Sequence, residues 1–345
     1  MNLGAALGLA LALKLVGTLD LPRDLNVDGA PFGGISGADY DSRTGDWLMI
    51  SDDRSEKAPA RFFVGRLDYD AGGVKRLRLT RQVPLRRADD ATFSAAQGER
   101  PDAEALRIDP RTGDLVWATE GDAPRGFDPA VRRMGRDGTA RGTIPTPPAF
   151  RFTPTGARPN LTFEGLSFSP DGRWLWLAME APLVRDGPVS TVAQGGLTRM
   201  TRLDREGRIS AQYAYRLDPI QAAPTRRGDN GVSEILAVDD RQLLVLERSG
   251  VEDRQGRFTY HCRLYLVDAR SGEDVVTRAS LSEGAAPRVM AKRLLVNFDR
   301  LPGAGANLEA MAWGRDLAGR RTLVLFSDDN FNPTEAARVM VFSVR

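Results

Sequence analysis

The sequence reads as all-β, a single β-propeller of five four-stranded blades, with six as the alternative count and the ring closed by the N-terminal strand. Three observations predict this. First, a short apolar strand carrying an acid or serine near its start recurs five times, each followed 13 to 19 residues later by a second strand ending in a carboxylate: Ser36 with Asp52, Glu104 with Glu120, Glu164 with Glu180, Glu234 with Glu247, and Glu309 with Asp328. Second, the second strands are apolar at consecutive positions, as in Trp47-Leu48-Met49-Ile50, Leu115-Val116-Trp117 and Trp174-Leu175-Trp176-Leu177, the pattern of strands buried on both faces. Third, the copies follow one another at 68, 60, 70 and 75 residues, room for a four-stranded sheet and one generous loop, and such radial repetition marks a propeller.

Each copy begins with a hairpin. Asp41-Ser42-Arg43-Thr44-Gly45, Asp109-Pro110-Arg111-Thr112-Gly113 and Ser169-Pro170-Asp171-Gly172 carry the residues that set turn geometry. A tight hairpin returns the chain to the edge it left, so both acidic positions of every copy are expected on one face. Outer strands are expected over 61–67 and 74–79, 131–135, 197–203 and 210–217, 258–267 and 274–279, and 339–344. The fifth copy then has three strands, and residues 14–21 supply the fourth. A sixth blade would have to come from the irregular stretches 140–160 or 280–300. Most of the loops at 84–101, 121–130, 145–160, 181–195 and 218–231 are expected on the acidic face, where a rigid scaffold carries its binding residues.

The domain spans 14–345, preceded by 1–13 as a signal peptide or an apolar extension. Residues 1–13 are apolar and contain Ala10-Leu11-Ala12, a small-x-small pattern suited to signal peptidase, though a basic leading segment is missing. The export reading places the protein in the periplasm or outside the cell. The stretch is too short to span a bilayer, so no integral membrane segment is expected. With 48 basic and 46 acidic residues there is no polyelectrolyte bias towards nucleic acid. The single cysteine, Cys262, excludes an intrachain disulfide. A monomer is expected.

One histidine, His261, on an outer strand, removes most hydrolase designs: a Ser-His-Asp triad would have to use it, and there is no Gly-x-Ser-x-Gly elbow. Zinc sites of His and Cys are equally unpromising. Carboxylates remain. Inner strands converge on a propeller axis, so Glu104, Glu164, Glu234 and Glu309 are expected at the channel mouth, with Asp52, Glu120, Glu180, Glu247 and Asp328 just outside. Such density of negative charge requires a counter-charge. Ca²⁺ is one candidate, with Glu104, Glu164, Glu234, Glu309, Asp52 and Asp328 as ligands. The arginines after the same strand ends, Arg54, Arg125, Arg185 and Arg248, are the other. Cation and guanidinium together would suit a small anionic or ester substrate, with Glu164, Glu309 and Asp328 as catalytic candidates and the arginines and Asn330 binding substrate. The competing reading is a non-catalytic propeller that binds a ligand or protein on this face and holds structural Ca²⁺, the glutamates locking blades together. Ser36, at the glutamate position of the first copy, lacks a base and is read as clearance.

Across nearly the whole chain these elements resemble the phytase-like family, also described as having esterase-like activity of phytase. The family's Glu-Gly-Leu element stands at Glu164-Gly165-Leu166, with variants Glu104-Ala105-Leu106 and Glu309-Ala310-Met311, and its terminal element at Ser327-Asp328-Asp329-Asn330-Phe331 with one amide replaced by acid. The resemblance implies an exported propeller with a phosphoester or ester hydrolase role. The elements that mark calcium-dependent propeller phytases are not found here, so phytate itself does not follow.

Overall fold

The computed structural model describes residues 11–96 and 98–345; residues 1–10, and with them most of the expected export signal, lie outside the described part. Twenty of the strands form five antiparallel four-stranded sheets, and helix among the described residues is confined to single 3-10 turns. Blades I to IV run in chain order from the axis outwards, starting at Ile35–Asp41, Ala103–Ile108, Phe163–Phe168 and Gly231–Ala237. Blade V takes Asn307–Leu317, Arg320–Asp328 and Arg338–Val344 from the C-terminal region and Leu13–Asp20 as its outermost strand. The ring therefore closes as the sequence predicts, one residue earlier than expected.

The unbroken apolar runs have a direct cause. Alternate residues of one strand enter the two neighbouring interfaces: Trp47 and Met49 pack with blade V, against Ala310, Val324 and Phe326, whereas Leu48 and Ile50 pack with blade II, against Leu106 and Trp117. Each of the five interfaces has such a core. With both faces of the sheet buried, an alternating pattern would place polar side chains in a core.

The blade count is five. The stretches that could have hidden a sixth supply fourth strands instead, Ala140–Ile144 in blade II and Ala291–Asn297 in blade IV. The outer strand expected over 274–279 is not part of blade IV. Asp274 bridges to Tyr213, Val275 N–H donates to Gln212 O at 2.7 Å and Met290 N–H to Ala214 O at 3.1 Å, so this segment lies along the outermost strand of blade III and covers its edge.

Candidate functional site

A β-bulge near the start of every inner strand builds the site. The register with the second strand slips between Ile35 and Gly37, Ala103 and Ala105, Phe163 and Gly165, Val232 and Glu234, and Leu308 and Ala310. The extra residue in each case, Ser36, Glu104, Glu164, Ser233 or Glu309, falls outside the ladder, and a bulge re-aims such a side chain. In four blades the residue after it is small, Gly37, Ala105, Gly165 and Ala310, and a Cβ on Gly37 would lie 2.6 Å from Leu106 N; in blade IV it is Glu234. On the second strand, one step past the residue paired just before each bulge, stand Asp52, Glu120, Glu180, Arg248 and Asp328, a second ring around the first.

Blade IV thus differs from the expected register by one residue in both strands. Ser233 takes the place expected for Glu234, and Arg248 the place expected for Glu247. Glu234 is turned below the ring, where its carboxylate meets Arg107 at 2.6 Å and accepts from the backbone N–H of Leu166 and Ile235. Burial pushes its pKa up against the pull of Arg107. The Arg107 guanidinium donates to the carbonyls of Ala38, Leu106, Leu166, Ile235 and Met311, one equivalent position from each blade, and so fills the axis beneath the site. Glu247 instead accepts from Tyr215 Oη and Lys292 Nζ, each at 2.6 Å, and from Asn230 and the Asp218 amide. Neither Glu234 nor Glu247 lines the cavity. Arg125 pairs with Asp122 at 3.1 Å and Arg185 donates to Thr155 O, and both stand away from the cavity as well.

The remaining candidates converge. Asp52, Arg54, Glu104, Glu164, Arg248, Glu309, Asp328 and Asn330 line one open cavity of about 410 Å³ together with Asp102, Glu120, Glu180 and Lys57. The loop after the first blade's second strand is shaped by Asp53, which pairs with buried Arg61 at 2.6 Å and accepts from the amides of Glu56, Lys57 and Ala58. That loop carries Arg54 and Lys57 to the rim, where Arg54 reaches Asp102 and Asn160 and Lys57 sits over Phe331. Gly34, at φ +62°, leaves room for Asp52, whose Oδ1 would be 2.1 Å from a Cβ there. Ser36 donates to Glu309 at 3.0 Å rather than standing idle as clearance.

Electrostatically the cavity is strained towards neutrality. Burial first and neighbouring carboxylates second raise the pKa of Asp52, Glu104, Glu164 and Asp328 well above the ordinary range, and do the same to Glu120. Glu180 is pushed up to about 8 by burial, with Arg248 pulling the other way. Arg248 is the internal counter-ion, with one Nη on Glu180 at 3.0 Å and the other on Glu309 and Asn307.

Two carboxylate triads have oxygens within 4.8 Å of one another: Asp102, Glu104 and Glu120, and Glu120, Glu164 and Glu180. Glu164 is 5% exposed and its Oε2 has no hydrogen-bond partner. A buried oxygen left without a donor among other carboxylates fits a cation, since an unpaired buried acceptor is otherwise costly. All donors are carboxylate oxygens, the set a hard divalent cation prefers.

Sequence reasoning left out Asp102, Lys57 and Asn160, which enter from loops, and did not see Ser233 or Arg107. A signal for the blade IV shift was present: a small residue follows the acid or serine in Ser36-Gly37, Glu104-Ala105, Glu164-Gly165 and Glu309-Ala310, but Ile235 follows Glu234. His261 lies apart from the site, 3.2 Å from Asp299, and burial raises the Cys262 thiol to about 12.

Among the described residues no helix is long and apolar enough to cross a membrane. No protein of curated function matches the sequence significantly. Solved structures similar to it include the periplasmic gluconolactonase of Pseudomonas aeruginosa, at 16% identity and TM-score 0.40 over 97% of this chain and 99% of that one. A glucose dehydrogenase matches at 12% identity and TM-score 0.42 over 96% and 98%, and the catalytic domain of a Coprinopsis cinerea GH62 α-L-arabinofuranosidase at 8% and 0.42 over 97% and 96%. Likenesses this distant assign no activity. Residues 30–331 match the phytase-like family described by esterase-like activity of phytase, and with five blades, the bulged Glu164-Gly165-Leu166 element and the terminal Ser327 to Phe331 element in place, the chain belongs to that family.

Proposed function

We propose that this protein is a metal-dependent hydrolase of phosphorylated or ester substrates, working in the acidic cavity with Ca²⁺ as its cation. The observation that carries the reading is the partnerless Oε2 of Glu164, buried in one triad with Glu120 and Glu180. These three carboxylates would hold the ion, with Asp102 and Glu104 completing the acidic wall. A bound cation of this kind neutralises charge on an anionic oxygen and acidifies water. The family description supports a hydrolytic activity.

The chain's own residues have separable tasks in this reading. Asp328, whose pKa burial and the neighbouring Asp52 raise well above the usual carboxylate range, is suited to hold a proton and hand it to a leaving oxygen. Asn330 N–H donates to Asp328 Oδ1 at 2.8 Å and fixes its direction. Glu309 holds Arg248 and Ser36, a positioning role. Arg54 and Lys57 stand at the rim, where an anionic or ester substrate enters. The apolar residues ahead of Leu13, where the closing strand begins, act as an export signal in this reading; a chain recovered from a bacterial periplasm still beginning at Met1 would overturn that part.

The test is turnover of phosphomonoester, phosphodiester and carboxylester substrates with and without Ca²⁺, repeated with Glu164→Gln and Asp328→Asn. Calcium-dependent turnover of one class, reduced in both variants, is expected. No turnover in any metal condition would sink the hydrolase. One observation favours the second reading, a non-catalytic propeller with structural Ca²⁺: Arg248 already joins blades III, IV and V through Glu180 and Glu309. Calcium-raised thermal stability without turnover would support it.

A further inference from the structure

Glu180 has two claims on it. Its Oε1 accepts from Arg248 Nη2 at 3.0 Å, and it belongs to the triad with Glu120 and Glu164. Arg248 is the one cation in the second ring, lines the cavity, and has its other nitrogen on Glu309 and Asn307. With both nitrogens engaged, the guanidinium has no free fork for a ligand. Glu180 cannot move away from the triad, because its backbone is tied into the seam between blades III and IV. Glu180 N–H donates to Thr162 O at 2.6 Å, Glu180 O accepts from Val232 N–H at 3.1 Å, and a Cβ on Gly231 would lie 2.5 Å from its Cγ. The carboxylate therefore chooses between partners by turning its end group.

We propose that Arg248 is the anion-binding group of this cavity and that Glu180 keeps it occupied until a divalent cation takes the Glu180 carboxylate, so that cation and anion bind with positive coupling. The inference rests on the cation reading given above and adds the order and the switch. The physical ground is the electrostatic competition at one carboxylate. A dication beside Glu120, Glu164 and Glu180 withdraws Glu180's charge from Arg248, and the freed Nη2 faces the cavity where an oxyanion, a phosphate or a carboxylate, gains a charge-assisted hydrogen bond. Reciprocity follows: an anion must tighten cation binding by the same factor that the cation tightens anion binding.

Calorimetric titration with inorganic phosphate, with and without Ca²⁺, tests this on the full chain. In the parent protein Ca²⁺ is expected to strengthen phosphate binding by about tenfold, within the usual range of coupling between sites, and phosphate to strengthen Ca²⁺ binding equally. Glu180→Gln should raise calcium-free phosphate affinity several-fold, because a neutral amide holds the guanidinium less firmly. Glu104→Gln, which removes a carboxylate from the same cavity without touching Arg248, should raise it clearly less, through the general loss of negative charge alone. Equal changes in these two variants would reduce the effect to bulk charge and overturn the proposal. Arg248→Lys keeps the charge but loses the planar fork, and should lose most of the coupling; retention of parental coupling would overturn it too. Should Arg248→Lys fold poorly, the two glutamate variants decide alone. Absence of Ca²⁺ binding to the parent overturns the cation reading itself, whereas Ca²⁺ binding with unchanged phosphate affinity overturns only the switch.

Discussion

Arg107 of blade II and Glu234 of blade IV meet at 2.6 Å on the propeller axis, both buried, with the guanidinium also donating to one carbonyl of each blade. The pair acts as a keystone: it fills the space where five inner strands converge and satisfies carbonyls that no ladder reaches. Arg107→Met is expected to destabilise the protein by about 3–5 kcal/mol, the usual cost of breaking a buried ion pair from one side. The double variant with Glu234→Gln should lose less than the two singles added together, since no unpaired charge remains. Urea unfolding of the three variants measures both. Additive losses would show that the two side chains do not act as a pair.

The register shift of blade IV makes a separate prediction. Glu247 belongs to a network with Tyr215, Asn230 and Lys292 and stands off the cavity, while Glu180 lines it. Glu247→Gln should lower stability by roughly 1–3 kcal/mol, the range for disturbing a buried polar group, and leave Ca²⁺ affinity at the parental value. Glu180→Gln should weaken Ca²⁺ binding about tenfold or more. Calorimetry and thermal melts on the two proteins read these effects apart.

Proton linkage gives a sign that can be checked. Glu180 has its pKa raised from 4.5 to about 8 in the folded state. Its contribution to stability is therefore full below about pH 4.5 and is lost as pH rises through about 8. The cation-free protein should melt at a lower temperature at pH 8.5 than at pH 5.5, and saturating Ca²⁺ should narrow the difference. Binding of the cation near pH 7 should also release protons, seen as a dependence of the measured heat on the ionisation enthalpy of the buffer. A buffer-independent heat would count against protonated carboxylates in the cavity.

Removing residues 13–20 leaves the Arg338–Val344 strand as an uncovered sheet edge. The truncated protein should aggregate at concentrations where the parent is monodisperse. Light scattering checks it, and a variant as soluble and stable as the parent would argue that the first strand is dispensable.

Much of the architecture was legible in the sequence because it follows from burial on both faces. Consecutive apolar residues such as Trp47 to Ile50 have no other use in a short strand, and turn residues such as Asp109 to Gly113 fix where the chain reverses. The site was legible by its residue types and less so by position. Glu104, Glu164 and Glu309 reach the cavity through bulges, and a bulge is a matter of hydrogen-bond register that a count of residues cannot show. In blade IV that ambiguity moved Glu234 and Glu247 out of the cavity and left Ser233 and Arg248 at the two ring positions. Asp102 and Asn160 arrive on loops whose course is set by distant contacts, Arg54 among them, and no local pattern announces them. The strand expected over 274–279 failed for a related reason: the edge it covers belongs to another blade.

The composite fifth blade also sets a clock. Asp20 and Arg338 face each other across it although 318 residues separate them along the chain. At about 5–20 residues per second of synthesis, the first strand waits roughly 15–60 s for its partner to be made. During translation the ring stays open, and the nascent chain carries an unmatched first strand until the seven-residue strand Arg338–Val344 emerges to meet it.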